Sequence, residues 1–126
     1  MLAHSDSNKN EINHNSIKSF FNLLKDKNNY PLVFHCVQGK DRTGMLSYIL
    51  GALLGVSQDD LYRDYLFTNF SNSGGSPCKI NDIATRYGLT ISKSEGETLQ
   101  EKTRNMLKTE FSFTDVDLDA VINNLL

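Results

Sequence analysis

The sequence predicts an α/β chain: a strand–loop–helix core followed by a predominantly helical C-terminal part, forming a single domain over residues 1–126. Three observations carry this expectation. Leu32-Val33-Phe34 is a short apolar run of strand formers, set between Tyr30-Pro31 and a glycine-containing segment, as a buried strand is. Met45 to Leu54 is apolar nearly all round, the composition of a helix in the middle of a fold. From Ser57 onward apolar residues recur mostly at helical spacing between turn signals, with one weak strand signal at Leu89 to Ile91.

The elements follow in order. Ile12, Ile17, Phe20, Phe21 and Leu24 share one face of an amphipathic helix over Glu11 to Lys27, which Asn28 and Asn29 end. The strand at Leu32 to Phe34 stops at His35-Cys36. The helix after the loop ends at Gly55, a natural C-cap. Ser57 with Asp60 resembles a capping box and opens a helix through about Phe70, with Leu61, Tyr65, Leu66 and Asn69 along one side. Asn72 to Pro77 (NSGGSP) is a break. Lys79 to Tyr87 reads as a short helix ended by Gly88, Glu97 to Glu110 as another, and Thr114 caps a last helix carrying Val116, Leu118, Val121, Ile122 and Leu125. The opening MLAHSDSNKN is a polar lead-in with no assigned role.

A length of 126 residues with 39% apolar composition suits one core. The formal net charge of −2 provides no general attraction for nucleic acid or an anionic membrane, so any anionic ligand must be drawn by local positive potential. No apolar run reaches membrane-spanning length, and the N-terminus lacks the apolar core of a secretory signal. Cys36 and Cys78 have no zinc-finger or thioredoxin-like spacing, which points to a reduced, cytoplasmic protein, with non-classical secretion left open. His4 and His14 have no partners at ligand spacing. Neither a metal nor a cofactor is expected.

The chemistry concentrates in His35 to Gly44, HCVQGKDRTG. A tight loop between a strand and a helix N-terminus presents unpaired amides and the positive end of the helix dipole, a cradle for an anion. Val37, Gln38, Gly39 and Lys40 would line it, with Gly39 and Gly44 easing close backbone approach. Cys36 begins the loop, where amides, Arg42 and Lys40 favour thiolate over thiol. Its pKa should fall into the range of about 3.5 to 7.5 typical of activated cysteines. Arg42, six residues on, can meet two phosphoryl oxygens with its planar fork and fix the phosphorus for in-line attack. Thr43 can stabilise the sulfur as thiolate and leaving group. A carboxylate beside thiolate and phosphate repels both, so Asp41 should either point away, complementing the dipole, or carry a proton to the leaving oxygen. Lys40 adds charge for a strongly anionic substrate, and His35 tunes the loop through hydrogen bonds.

The string HCVQGKDRTG resembles the phosphate-binding loop of the protein tyrosine phosphatase superfamily. With Gly39-Lys40-Asp41-Arg42 it is most similar to the atypical bacterial-type members that accept phosphotyrosine, phosphoserine or phosphothreonine, and phosphoinositides. Asp64-Tyr65-Leu66, Asn69, Asn105-Met106-Leu107 and Thr114 to Leu126 extend the resemblance more loosely. It implies a phosphatase acting through a phosphocysteine on a phosphorylated protein or phosphoinositide, with the Cys, Arg, Lys, Asp and Thr roles falling on Cys36, Arg42, Lys40, Asp41 and Thr43. Family members carry a long N-terminal half with further strands before this loop, whereas about 35 residues precede it here. The chain thus reads as the C-terminal portion of a larger catalytic domain, its sheet completed by another segment or a second copy. Two alternatives stand beside the phosphatase: a catalytically inactive phosphate-binding module, and a different thiolate chemistry such as arsenate reduction or sulfur transfer, for which Cys78 is the resolving candidate.

Overall fold

The computed structural model describes residues 7–71 and 75–126, with the side chains of 7–12, 86 and 87 left aside. The helices are α1 (Ser7–Leu24), α2 (Arg42–Leu53), α3 (Gln58–Phe67), α4 (Ile80–Ile83), α5 (Leu89–Ser92), α6 (Leu99–Phe111) and α7 (Asp115–Leu125). The opening residues with His4, and the first half of the 72–77 break, lie outside the described residues.

The all-apolar stretch becomes α2, and its burial explains its composition. Met45, Tyr48, Ile49, Ala52 and Leu53 are buried on it, and it packs against α3 and α6. Two glycines let α3 approach closely. A Cβ on Gly44 would lie 3.1 Å from the Tyr65 ring, and one on Gly51 would lie 2.5 Å from Leu61 Cδ2. The helix closes with Gly55 at φ +89°, where the Val56 N–H reaches the Gly51 carbonyl and the Gly55 N–H reaches that of Ala52. That pairing is the Schellman arrangement, and it needs a residue tolerant of the left-handed region.

Around this axis α1 packs on α7, and α5 on α6. Ile17, Phe20, Phe21 and Leu24 form the buried face of α1, whose last carbonyls accept hydrogen bonds from Tyr30 Oη, Asn29 Nδ2 and Asn124 Nδ2. Ser57 caps α3 by accepting from the Asp60 N–H, while its hydroxyl donates to Asp60 Oδ2 at 2.8 Å. Thr98 and Thr114 cap α6 and α7 in reciprocal boxes with Glu101 and Asp117. These local caps satisfy helix-end amides that packing leaves open.

Three expectations change. Among the described residues there is no β-strand: residues 32–36 form no regular element, their exposure alternates as along an extended chain, and their backbone makes no backbone hydrogen bond with any described residue. Leu32 and Phe34 face inward, Phe34 against Phe20 at 4.9 Å between ring centroids, while Val33 is 84% exposed. Leu89–Ile91 is helix, with Ile91 fully buried. Gly88 ends nothing. Its φ of −53° is helical, and it lies in a π-turn over Ala84–Gly88 that joins α4 to α5. A Cβ there would meet the Ile83 carbonyl at 3.0 Å, so the position favours glycine for space. No helix among the described residues is long and apolar enough to cross a membrane.

Candidate active site

The irregular segment 32–36 ends at Cys36, and residues 37–41 then bend into the first turn of α2. The bend needs Gly39, which sits at φ +69°, in the left-handed region where a side chain is strained. This turn folds the chain over the Cys36 sulfur. Burial of the half-buried thiol pushes its pKa up, but the Thr43 hydroxyl and the backbone N–H groups of Thr43, Gly39 and Gln38 bond the sulfur and pull it down to about 7, from an ordinary 9.0. The donors win because each favours the charged form.

Thr43 is committed to this task. Its Oγ1 is buried and meets no partner at ordinary hydrogen-bond geometry among the described residues, but it lies near enough to the Cys36 sulfur to help lower the thiol's pKa. At neutral pH a thiol of pKa near 7 is about half thiolate, a strong nucleophile facing the solvent end of a helix. Arg42 is the first residue of α2 and is exposed, with no ion-pair partner among the described residues, so its fork is available to an anion.

This arrangement lies in a chain that matches the model of the "Tyrosine phosphatase family" over residues 4–125. The chain belongs to the tyrosine phosphatase family. It is also similar to a "Putative tyrosine-protein phosphatase" of Cupriavidus necator, 34% identical over 94 residues that cover 75% of this chain and 33% of that protein. The chain therefore spans about a third of the length of this relative. No solved structure matches it.

Within the family's loop, the remaining residues fall less uniformly. Asp41 is the N-cap residue of α2, half-buried, and its side chain makes no capping hydrogen bond. His35 is exposed, and its Nδ1 lies 3.4 Å from the carbonyl of the adjacent Cys36. Val37 points outward and is 89% exposed. Lys40 donates its Nζ to the Ser76 carbonyl, which draws it toward the residues after the 72–77 break. Both cysteines are free thiols, and Cys78 is buried.

Sequence reading missed the part played by Gly75, Ser76 and Asn69. The Gln38 amide lies 3.6 Å from the space a Gly75 Cβ would fill, and Asn69 grips Cys78 through both its backbone groups. A backbone carbonyl leaves no signature in a sequence. Asn69, a polar residue at the end of an amphipathic helix, was the one available signal.

Proposed function

We propose that this chain carries the active-site loop of a cysteine-dependent phosphomonoester hydrolase working in the reducing cytoplasm. The convergence of three loop amides and the Thr43 hydroxyl on the Cys36 sulfur supports the reading most strongly. The thiolate of Cys36 attacks phosphorus in line with the ester oxygen. The P–O bond breaks as the S–P bond forms, and the leaving oxygen takes a proton from Asp41. Water then attacks the phosphocysteine and gives a proton to the Asp41 carboxylate, the S–P bond breaks as the new P–O bond forms, and the sulfur leaves as thiolate, held by Thr43 and the same amides.

Arg42 clamps two equatorial oxygens, and the backbone of Val37 to Lys40 supplies further donors. Stabilisation grows as charge spreads over the transferring group, where fixed donors are most effective. Phosphotyrosine proteins are the primary substrate class. Phosphoserine or phosphothreonine and phosphoinositides are the extension that Lys40 favours through its charge.

The unpaired backbone of Leu32 to His35 supports a further part of this reading. Open N–H and C=O groups on both sides of a segment are a template for strands. The domain is thus the C-terminal portion of a larger catalytic unit whose other strands come from another segment or a second copy. The same observation favours a second reading, a loop that binds phosphate without turnover.

The protein, with any strand-supplying partner segment present, should release phosphate from an aryl phosphate or a phosphoinositide, and Cys36→Ser should abolish release. Failure on both substrate classes sinks the hydrolase. Binding of a phosphopeptide that persists in Cys36→Ser, with no turnover in the native protein, establishes the binding module instead.

A further inference from the structure

The Cys36 loop touches the polypeptide after the 72–77 break at two places. Lys40 Nζ donates to the Ser76 carbonyl, and the Gln38 side chain lies against Gly75. Gln38 is also one of the residues whose amide bonds the Cys36 sulfur. Where residues 75–78 sit therefore affects the shape of the cradle.

Their position is fixed from α3. The short 3-10 turn Thr68–Phe70 extends this helix, and Asn69 within it accepts from the Cys78 N–H at 2.6 Å and donates to the Cys78 carbonyl at 3.0 Å. The paired bonds imitate a strand-like pairing with a single side chain, so both position and direction of the backbone at Cys78 are set. On the other side of the turn, Ser71 bonds the Thr68 carbonyl through its N–H at 3.0 Å and its hydroxyl at 2.8 Å. The Cys78 side chain is buried in the core, which anchors the same point from within. Only Pro77, with its fixed φ, separates Cys78 from Ser76.

We propose that Asn69 is a positioning residue for the phosphate loop, acting through Cys78 and Ser76 on Lys40 and through Gly75 on Gln38. The proposal rests on the phosphatase reading of the loop, although Asn69 itself touches neither substrate nor sulfur. The chain of contacts is short and has no slack: a double hydrogen bond, one proline, then a carbonyl on the ammonium. With Asn69 truncated, the carbonyl that holds Lys40 is free to drift, and the Gln38 end of the cradle loses its support.

The test uses the intact chain and reads the loop without requiring turnover. The rate of Cys36 alkylation by iodoacetamide is followed across pH, with and without inorganic phosphate, in the native protein, Asn69→Ala, Lys40→Ala and the double variant. Asn69→Ala should move the alkylation midpoint upward from about 7 and weaken phosphate protection by about fivefold, the net worth of one hydrogen bond. In the Lys40→Ala background the same change should weaken protection by less, because part of its route has gone. Asn69→Asp retains the acceptor for the Cys78 N–H and should recover part of the midpoint.

A lowered melting temperature with an unmoved midpoint and unmoved protection would make Asn69 a structural clamp and overturn the proposal. Full additivity of the two substitutions would overturn the route through Lys40. A native protein with its midpoint near 9 and no phosphate protection overturns the phosphatase reading, and the positioning role with it.

Discussion

The chain on the two sides of Cys36 is built differently. Before it, residues 32–36 form no regular element and are unpaired by any described backbone, held by Phe34 on Phe20 and by Leu32 against the core. After it, α2 buries Met45, Tyr48, Ile49, Ala52 and Leu53, is closed at its end by Gly55 and is packed against α3 and α6. The reactive sulfur takes its electrostatics from the second side: Gln38, Gly39 and Thr43 all follow Cys36. So the groups that lower the thiol's pKa lie in an exposed turn, Gln38 and Gly39, and in the first turn of a packed helix, Thr43, whereas the segment before the sulfur has no backbone partner among the described residues.

The comparison breaks most sharply if the loop's chemistry depends on neither Cys36 nor Arg42. Cys36→Ser should remove phosphate release altogether, and Arg42→Lys should lower kcat/KM by about a hundredfold or more, since an ammonium cannot make the bidentate contact. Steady-state assays of both variants on an aryl phosphate decide this. An Arg42→Lys enzyme within a fewfold of native would show that the loop amides alone position the phosphorus.

On the packed side, Ile49 is fully buried in the middle of α2. Ile49→Ala should cost about 2–5 kcal/mol of stability, read from urea unfolding, because the transfer and cavity terms add. A loss near zero would mean that the centre of α2 is not the core of the cooperative unit.

The thiol's pH dependence tests the junction between the two sides. Alkylation of native Cys36 should have its midpoint near pH 7, and Thr43→Val should raise it toward 9, since the hydroxyl bond is lost while the amides remain. The sign for stability follows from the lowered value. Ionised Cys36 stabilises the fold fully above pH 9, and that contribution is lost as pH falls through about 7. Unfolding of native protein and Cys36→Ser, compared between pH 6 and 9, should diverge toward the alkaline end.

The loop was legible because its chemistry is local: thiol, glycine, guanidinium and hydroxyl lie within eight residues, and the helix that orients them begins among them. Thr43 at the sulfur and Gly39 in the turn follow from residue type and spacing. Capping at Ser57 and Thr114 is local for the same reason. What escaped depends on distant pieces of chain. The hold of Ser76 on Lys40 is made by a carbonyl 36 residues away. At Leu89–Ile91 the β-branched Thr90 and Ile91 read as strand, but burial of Ile91 beside α6 overrides that preference. Gly88 looked like a helix end because glycine usually serves freedom there, whereas here it serves space.

Val33 gives the smallest effect and the finest test. An apolar run such as Leu32-Val33-Phe34 reads as buried on both faces, yet alternate side chains of an extended segment point opposite ways, and only Leu32 and Phe34 meet the helices. Val33, 84% exposed, has its face open among the described residues. In the isolated 126-residue chain, Val33→Asp should therefore shift stability by no more than about 0.5 kcal/mol, the usual range for a surface change. In a protein whose sheet is complete the same carboxylate would be buried without a partner, at a cost of several kcal/mol. Urea unfolding of Val33→Asp in the 126-residue chain, alone and with the proposed strand-bearing segment or second copy bound, measures the difference directly. Equal, small effects in both would mean that residues 32–36 remain an open edge, and the proposal that other strands complete the sheet on that face would fall.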